Sequence, residues 1–293
     1  MTRNVQLAER AEELLGLAVR ATAPVAGGDV ARATKLRLSD GTSALMKAVS
    51  QAPADFFAVE VAGLRWLGEA TDGVSVPEVL AADRDCVILR WIEPGRTHAD
   101  AASRFGTALA HTHDAGAPRF GAHLTGPDGY RDGYIATLPL PNRPADSWPE
   151  FYAVRRVLPY LKLARDRGAI EADDAAAIEA LVGRFATLLP EEPPSRLHGD
   201  LWSGNVLWGA DGEPWLVDPA AHGGHRELDL AMLALFGLPN LAEVLDAYQQ
   251  VHPLTDGWEE RLPLHQLFPL LVHACLFGGG YGARAADTAR RVG

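Results

Sequence analysis

Cysteine is nearly absent from this chain: its 293 residues hold only Cys86 and Cys275, far apart and outside any Cys-x-x-Cys spacing. That scarcity excludes a disulfide scaffold and a thiolate metal site, and both thiols read as small buried apolar residues. Long apolar runs are missing as well. The longest, Leu267 to Phe277, contains His273 and stops at Gly278-Gly279-Gly280, too short to cross a bilayer. Arg3, Glu9, Arg10, Glu12 and Glu13 interrupt the first twenty residues, which therefore lack the apolar centre of a secretory signal. The expectation is a soluble cytoplasmic protein with no membrane partner. Basic charge is also short, with 27 Lys and Arg against 38 Asp and Glu, a net charge of -11. Up to Pro94 there are 10 basic and 13 acidic residues, so 17 and 25 lie beyond it. A surface of that sign repels nucleic acid and mildly favours amine-bearing acceptors. No internal repeat or low-complexity tract is present, and the length suits one large domain or two lobes.

What is there is concentrated in His198-Gly199-Asp200-Leu201-Trp202-Ser203-Gly204-Asn205, followed by Val217-Asp218-Pro219. Phosphoryl transfer needs a carboxylate to orient or deprotonate the attacking hydroxyl, and oxygen ligands for Mg²⁺ on the phosphates. Asp200 has the first role, and Asn205 and Asp218 have the second. The five-residue interval from Asp200 to Asn205 is that of a kinase catalytic loop. Val206-Leu207-Trp208 and Trp215-Leu216-Val217 read as two strands of a hairpin around Gly209-Ala210-Asp211-Gly212-Glu213-Pro214. In the simplest register Val206 faces Val217, Trp208 faces Trp215, and Asn205 lies opposite Asp218. The two side chains are then expected roughly 5 Å apart, within reach of one Mg²⁺.

Upstream, Ala33 to Leu38 and Ser43 to Val49 flank the turn Ser39-Asp40-Gly41-Thr42 and predict another hairpin. The segment before it contains Gly27 and Gly28, where backbone can approach phosphates closely. Lys47 shares a strand face with Leu45 and Val49. Ala54 to Glu69 reads as a helix with Glu60 inside its apolar stripe, and a carboxylate there needs a partner. Lys47 is that partner, in the ion pair that positions a phosphate-binding lysine in kinases. The apolar run Cys86 to Leu89 passes into Arg90-Trp91-Ile92-Glu93-Pro94-Gly95, which predicts a lobe boundary with residues 1–94 before it and 95–293 after it. Leu89 and the backbone groups of Arg90 and Ile92 are the expected adenine contacts. Beyond it, helical patterns cover Ala101 to Asp114, Ser147 to Arg167, Asp173 to Leu189, Glu227 to Phe236 and Leu262 to Phe277. His198 is expected to brace the catalytic loop. Asp229 is expected to accept loop N–H groups or to cap its own helix. His111 and His113 point in different directions on a helix and read as packing or surface residues.

These residues resemble the fructosamine-3-kinase, or ketosamine kinase, family within the aminoglycoside and choline kinase-like superfamily. The resemblance runs through most of the chain. It rests on Phe56 to Leu67, Asp132-Gly133-Tyr134-Ile135, Trp148-Pro149-Glu150-Phe151-Tyr152 with Arg155 and Arg156, the Trp202-containing core motif, Gly224 to Ala231, and Leu276 to Tyr281. It implies an α+β, two-lobed, protein kinase-like fold, with a small β-rich amino-terminal lobe over a mainly helical carboxy-terminal lobe and with ATP and Mg²⁺ between them. It also implies transfer of the γ-phosphate to a hydroxyl of a free or protein-bound sugar-amine adduct, which reverses glycation. By matching positions Asp200 is the base, Asn205 and Asp218 are the metal ligands, Lys47 and Glu60 position phosphate, and Trp202 stacks on the acceptor sugar. Gly133 and Leu140 depart from the family pattern in a segment expected on the acceptor side. Two other readings compete: a kinase for an aminoglycoside or amino alcohol, and a catalytically silent nucleotide-binding module.

Overall fold

In the first third of the chain, five β-prone segments pair into one antiparallel sheet. Strands β1 (Val19–Pro24), β2 (Arg32–Leu38), β3 (Ser43–Ala48), β4 (Val79–Ala82) and β5 (Cys86–Arg90) take the order β1-β2-β3-β5-β4. The structure is a computed structural model describing residues 2–26, 31–97, 99–122 and 130–292. The β2–β3 turn forms as its residues dictate, with Gly41 at φ 88° and the Asp40 carboxylate accepting from the Thr42 N–H and hydroxyl. Strand alternation gives the sheet two apolar faces. Leu36, Leu38, Ala44, Met46 and Ile88 pack against helix α1 (Thr2–Leu15). On the other face Val87 and Leu89 pack against Phe57, Val61 and Leu64 of α2 (Phe56–Gly68).

The rest of the chain is mainly helical. It comprises α3 (Ala99–Asp114), the hairpin of β6 (Gly133–Ile135) and β7 (Leu138–Leu140), α4 (Trp148–Phe151), α5 (Leu158–Asp166), α6 (Ala172–Val182) and α7 (Phe185–Leu188). Short strands follow, β8 (Ser195–Leu197), β9 (Val206–Trp208), β10 (Pro214–Leu216) and β11 (His222–Gly224), then α8 (Glu227–Phe236), α9 (Leu241–Val251), α10 (Trp258–Phe277) and α11 (Tyr281–Val292). A small sheet-bearing lobe thus sits beside a larger helical one, in the α+β arrangement expected.

Helix continuity departs from the sequence pattern in two places. The helix expected over 147–167 passes through a π-helical stretch, Tyr152–Val157, between α4 and α5. Pro159 has no N–H to give the Arg155 carbonyl, and the Arg156 guanidinium donates to that carbonyl instead (3.2 Å). The helix expected over 173–189 breaks at Gly183. Helices α1, α9 and α11 were not anticipated, and α11 shows why: its buried positions include Ala285, Ala286 and Ala289, small residues that give a weak apolar signal.

The connection leaving β5 is stitched to the β9–β10 turn. The Gly95 N–H donates to the Trp208 carbonyl (2.6 Å) and the Ala210 N–H to that of Glu93 (2.8 Å). A Cβ on Gly95 would stand 2.2 Å from the Gly209 oxygen, so this approach of two backbones requires glycine.

A second tie secures the approach to β8. Glu192 receives the Arg226 fork (2.8 and 3.0 Å) and the Thr255 hydroxyl, with His225 Nε2 at 3.5 Å. Burial alone would raise this carboxyl's pKa, but the Arg226 hydrogen bonds and the neighbouring His225 hold it at about 2. Because the folded-state value lies below the unfolded one, the stabilisation is complete above about pH 4.5 and is lost as pH falls towards 2. Glu192→Gln is expected to lose about 3 kcal/mol of unfolding free energy at pH 7, a gap that shrinks as pH drops below 4. Urea denaturation of both proteins at pH 7 and pH 3 measures it, and an equal gap at both would refute the assignment.

Candidate active site

The loop from β8 to β9 carries the motif, and a buried carboxylate holds it. Asp229, in the first turn of α8, accepts the backbone N–H of His198 (2.8 Å) and of Gly199 (2.9 Å). Gly199 has φ 80°, and a Cβ there would lie 2.3 Å from the Ala220 carbonyl oxygen, so the turn admits no side chain. His198 Nε2 lies 2.9 Å from the Val217 carbonyl, and Nδ1 accepts the Asp200 N–H at 3.3 Å. Those partners assign the Nε2–H tautomer, so the ring ties the loop to the chain segment just before Asp218. Burial lowers the imidazole pKa, with Asp229 opposing. The geometry is that of a brace.

His113, read as a packing or surface residue, is packed in the interior, and there it joins this brace. It is fully buried, with Nε2 3.3 Å from Asp229 Oδ2 and Nδ1 2.8 Å from the Tyr248 hydroxyl. A histidine at 113 and a tyrosine at 248 share no motif, and only the packing of α3 on α9 brings them together.

Asp200 sits among other acids. Burial, and then the nearby Asp218, raise its carboxyl pKa to about 7, while the hydrogen bond from Asn205 opposes them. Asn205 donates its amide to the Asp200 carbonyl (2.8 Å) and to Asp200 Oδ2 (3.3 Å). With the nitrogen committed to acceptors, the amide oxygen is the atom left for a cation. Lys47 Nζ contacts Glu60 Oε1 and Asp218 Oδ1, each at 2.6 Å. Burial would lower the ammonium pKa, but Glu60 and Asp218 together raise it. The Asp218 side chain is 44% exposed, whereas those of Lys47 and Glu60 are nearly closed off.

The hairpin register differs from the simplest pairing by one residue. Val206 pairs with Leu216 and Trp208 with Pro214, so Asn205 stands opposite Val217, whose N–H donates to the Asn205 carbonyl (3.1 Å). The loop closes over five residues, because the Gly209 N–H bonds to the Glu213 carbonyl (2.8 Å) and Gly212 takes φ 80°. Pro214 therefore enters the strand as its first residue. Asp218 reaches the cluster by another route: at φ 55° it turns out of the ladder and aims its carboxylate at Lys47.

The remaining expected contacts fall in different settings. Gly27 and Gly28 lie outside the described residues. Leu89 shares the Lys47 face of the sheet, but it is 1% exposed and packed on α2. The Arg90 N–H donates to the Glu78 carbonyl (2.8 Å) and the Trp91 N–H to that of Ser43 (3.2 Å). The Ile92 N–H makes no hydrogen bond to the described residues. Trp202 is 40% exposed, and its ring lies so close over Gly204 that a Cβ there would be 2.3 Å from it. It is not packed beneath the loop. Gly133 and Leu140 pair with each other in the β6–β7 hairpin and are both buried.

His225, Glu227 and His265 also converge, with potential ligand atoms within 4.8 Å of one another. Arg261 already forks onto the Glu227 carboxylate, with its shortest contact 2.6 Å. Trp148 Nε1–H donates to His265 Nε2 (3.0 Å), and the Glu227 N–H to His225 Nδ1 (3.3 Å). A divalent cation would stand beside a buried guanidinium, so this cluster is better described as a hydrogen-bonded support at the start of α8.

A carboxylate poised near neutrality, an amide and a second carboxylate beside it, and a lysine locked by a glutamate are a phosphotransferase's set of parts. The model of the family described as fructosamine kinase matches residues 3–292. The chain belongs to the fructosamine kinase family. It is 35% identical over 272 residues to the "Probable ketoamine kinase" of Enterococcus faecium, covering 89% of this chain and 91% of that one. It is 36% identical over 271 residues to that of Escherichia coli K12, covering 91% and 90%. The solved structure of a fructosamine-3-kinase candidate from Thermobifida fusca YX-ER1 superposes with a TM-score of 0.91 at 46% identity, over 98% of each chain. A macrolide 2'-phosphotransferase type I, at a TM-score of 0.65 and 18% identity, shares the fold. This fructosamine kinase family member is therefore a phosphotransferase with an alcohol group as acceptor, built on a two-lobed kinase-like fold. Among the described residues no helix is long and apolar enough to cross a membrane.

Replacing His113 by Ala removes the donor to Asp229 and loosens the loop that carries Asp200. Because a small displacement of a catalytic group is expensive, kcat is expected to fall about tenfold or more. His113→Gln, which keeps a donor, is expected to recover part of it. Steady-state kinetics of the two variants decide, and equal activity in both would remove His113 from the brace.

Proposed function

We propose that this enzyme transfers the γ-phosphate of ATP, with Mg²⁺, to a hydroxyl of a ketosamine, and that the unstable phosphorylated adduct then releases its amine. The observation that carries the reading is the placement of the Asp200 carboxylate, bonded by the Asn205 amide and on a loop whose neighbouring Asp218 holds Lys47, with the exposed Trp202 two residues away. Membership of the fructosamine kinase family supports the choice of acceptor.

The fit of a divalent cation rests on charge. Asp218 raises the pKa of Asp200 even though Lys47 is paired with Asp218, and a cation would relieve what remains of that repulsion. Asn205 and Asp218 would hold it. The chemistry such an ion would supply is positive charge that stabilises the charge developing on the transferred phosphoryl group. Asp200 orients the acceptor hydroxyl and takes its proton as the new O–P bond forms and the bond from the γ-phosphorus to the bridging oxygen breaks, the electron pair leaving with ADP. Lys47, fixed by Glu60, exchanges its contact with Asp218 for phosphate oxygens. Trp202 offers an aromatic face to the C–H surface of the sugar. At the lobe junction, which we place between residues 94 and 95, adenine meets the Arg90 carbonyl and the Ile92 N–H. Leu89 backs this hinge from the sheet, and Gly27 and Gly28 belong to the segment assigned to the phosphates.

Mass spectrometry of products from fructosamine, ribulosamine and aminoglycoside acceptors tests the reading. Asp200→Asn is expected to lower kcat by about 10²- to 10⁴-fold while nucleotide binding persists. Phosphate appearing only on an aminoglycoside would discard the ketosamine assignment and keep the kinase chemistry. Nucleotide binding with no transfer to any acceptor would discard both.

A further inference from the structure

Five rings form a continuous row that begins at the catalytic loop. Trp202 meets Phe236 edge-on at 6.2 Å, Phe236 meets His273 at 4.6 Å, and His273 meets Phe277 at 5.5 Å and Tyr281 at 5.2 Å. Catalytic loop, α8, α10 and α11 each contribute. The two ends of the row are exposed, Trp202 by 40% and Phe277 by 54%. A single exposed aromatic needs no explanation, but a row of rings starting two residues from the base does. Beyond Phe277 the chain turns through Gly278 at φ 64° and Gly279 at φ 61°, and no atom lies within 4 Å of where a Cβ on either would stand. The outer end of the row therefore opens to solvent. His273 Nδ1–H donates to the Pro269 carbonyl (2.8 Å), which fixes the orientation of the central ring.

We propose that this row is the subsite for the amine-bearing arm of the acceptor, and that it recognises a substituted ammonium group by its ring faces. The inference rests on the ketosamine reading above and adds to it the part of the substrate that selects among ketosamines. The row extends about 16 Å if its three steps from Trp202 to Phe277 lie end to end, farther than one sugar ring reaches. Its five side chains carry no carboxylate. A positive group is therefore held by the negative faces of the rings and an alkyl chain by their area, a combination that fits a sugar joined to an alkylated nitrogen. Phe277 is the informative position, because an exposed ring can be removed without opening the core.

The experiment compares kcat/KM for 1-amino-1-deoxyfructose, which has no arm, with that for its N-hexyl derivative. The wild-type enzyme is expected to prefer the N-hexyl acceptor. Phe277→Ala and His273→Ala are each expected to reduce that preference about fivefold, the loss of one ring's share of contact with the alkyl chain, since both acceptors carry the ammonium. Phe277→Tyr should retain the preference, and Phe277→Leu should lose part of it. A preference that is unchanged in both alanine variants overturns the proposal. If the wild-type enzyme phosphorylates no ketosamine, the ketosamine reading fails on its own account. The row is then tested by saturation-transfer NMR with hexyltrimethylammonium. Transfer seen in the wild type and lost in Phe277→Ala supports the subsite, and equal transfer to both proteins overturns it.

Discussion

Lys47 carries its charge where water scarcely reaches, and the two carboxylates that hold it come from different lobes. Glu60 belongs to α2 in the sheet-bearing lobe, and Asp218 follows the β9–β10 hairpin of the helical one. Removing Glu60 from its buried pair with Lys47 would cost about 3–5 kcal/mol, the half-exposed Asp218 is worth less, and together the ion triplet ties the helix, the strand and the hairpin to each other. It also sets up a division of labour. Glu60 is closed off and acts as a permanent anchor, whereas Asp218 is half exposed and can exchange its lysine contact for other partners.

Such an arrangement works only if the hairpin and the loop that carries Asp200 are themselves rigid. The structure provides this with a second buried charge, Asp229, which is held by backbone N–H groups of the loop and by His113. The acids of the site thus play unequal roles because their surroundings differ. Asp229 is satisfied by donors and sits under the loop. Asp200 is desolvated and faces Asp218, so its proton affinity rises. Separate environments for similar side chains are what turn a cluster of acids into a site with distinct parts.

How much of this could be read from the chain depends on whether the information is local. Asp200 and Asn205 lie on one short loop, and Lys47 and Glu60 each break an apolar pattern that calls for a partner, so spacing and burial logic reach them. The hairpin was legible as a hairpin, but its register turned on whether Pro214 sits in the loop or the strand. A loop hydrogen bond from Gly209 to Glu213 decides that, and a one-residue difference changes what faces Asn205. His113 and Tyr248 carry no local signal, since their roles exist only once α3 and α9 meet. The π-helical stretch was hidden for a related reason: Pro159 was visible, but not the side chain of Arg156 that takes over the carbonyl it leaves unpaired.

The same contrast between local and assembled information separates chemistry from specificity. The groups assigned to phosphoryl transfer lie on one strand and one helix of the first lobe and on one loop and one hairpin end of the second, and within each lobe their spacing in sequence is short. The ring row that starts at Trp202 draws on α8, α10 and α11, whose relative placement is set by packing of the helical lobe. The rings on α8, α10 and α11 are other residues than those that make the ion triplet and the loop brace, so they can change while Lys47, Glu60, Asp218, Asp229 and His113 keep their contacts. A fold built this way can keep one reaction while its acceptor changes. The amine-bearing part of the substrate would be selected by the exposed rings of the row, at a distance from the carboxylate assigned to proton transfer.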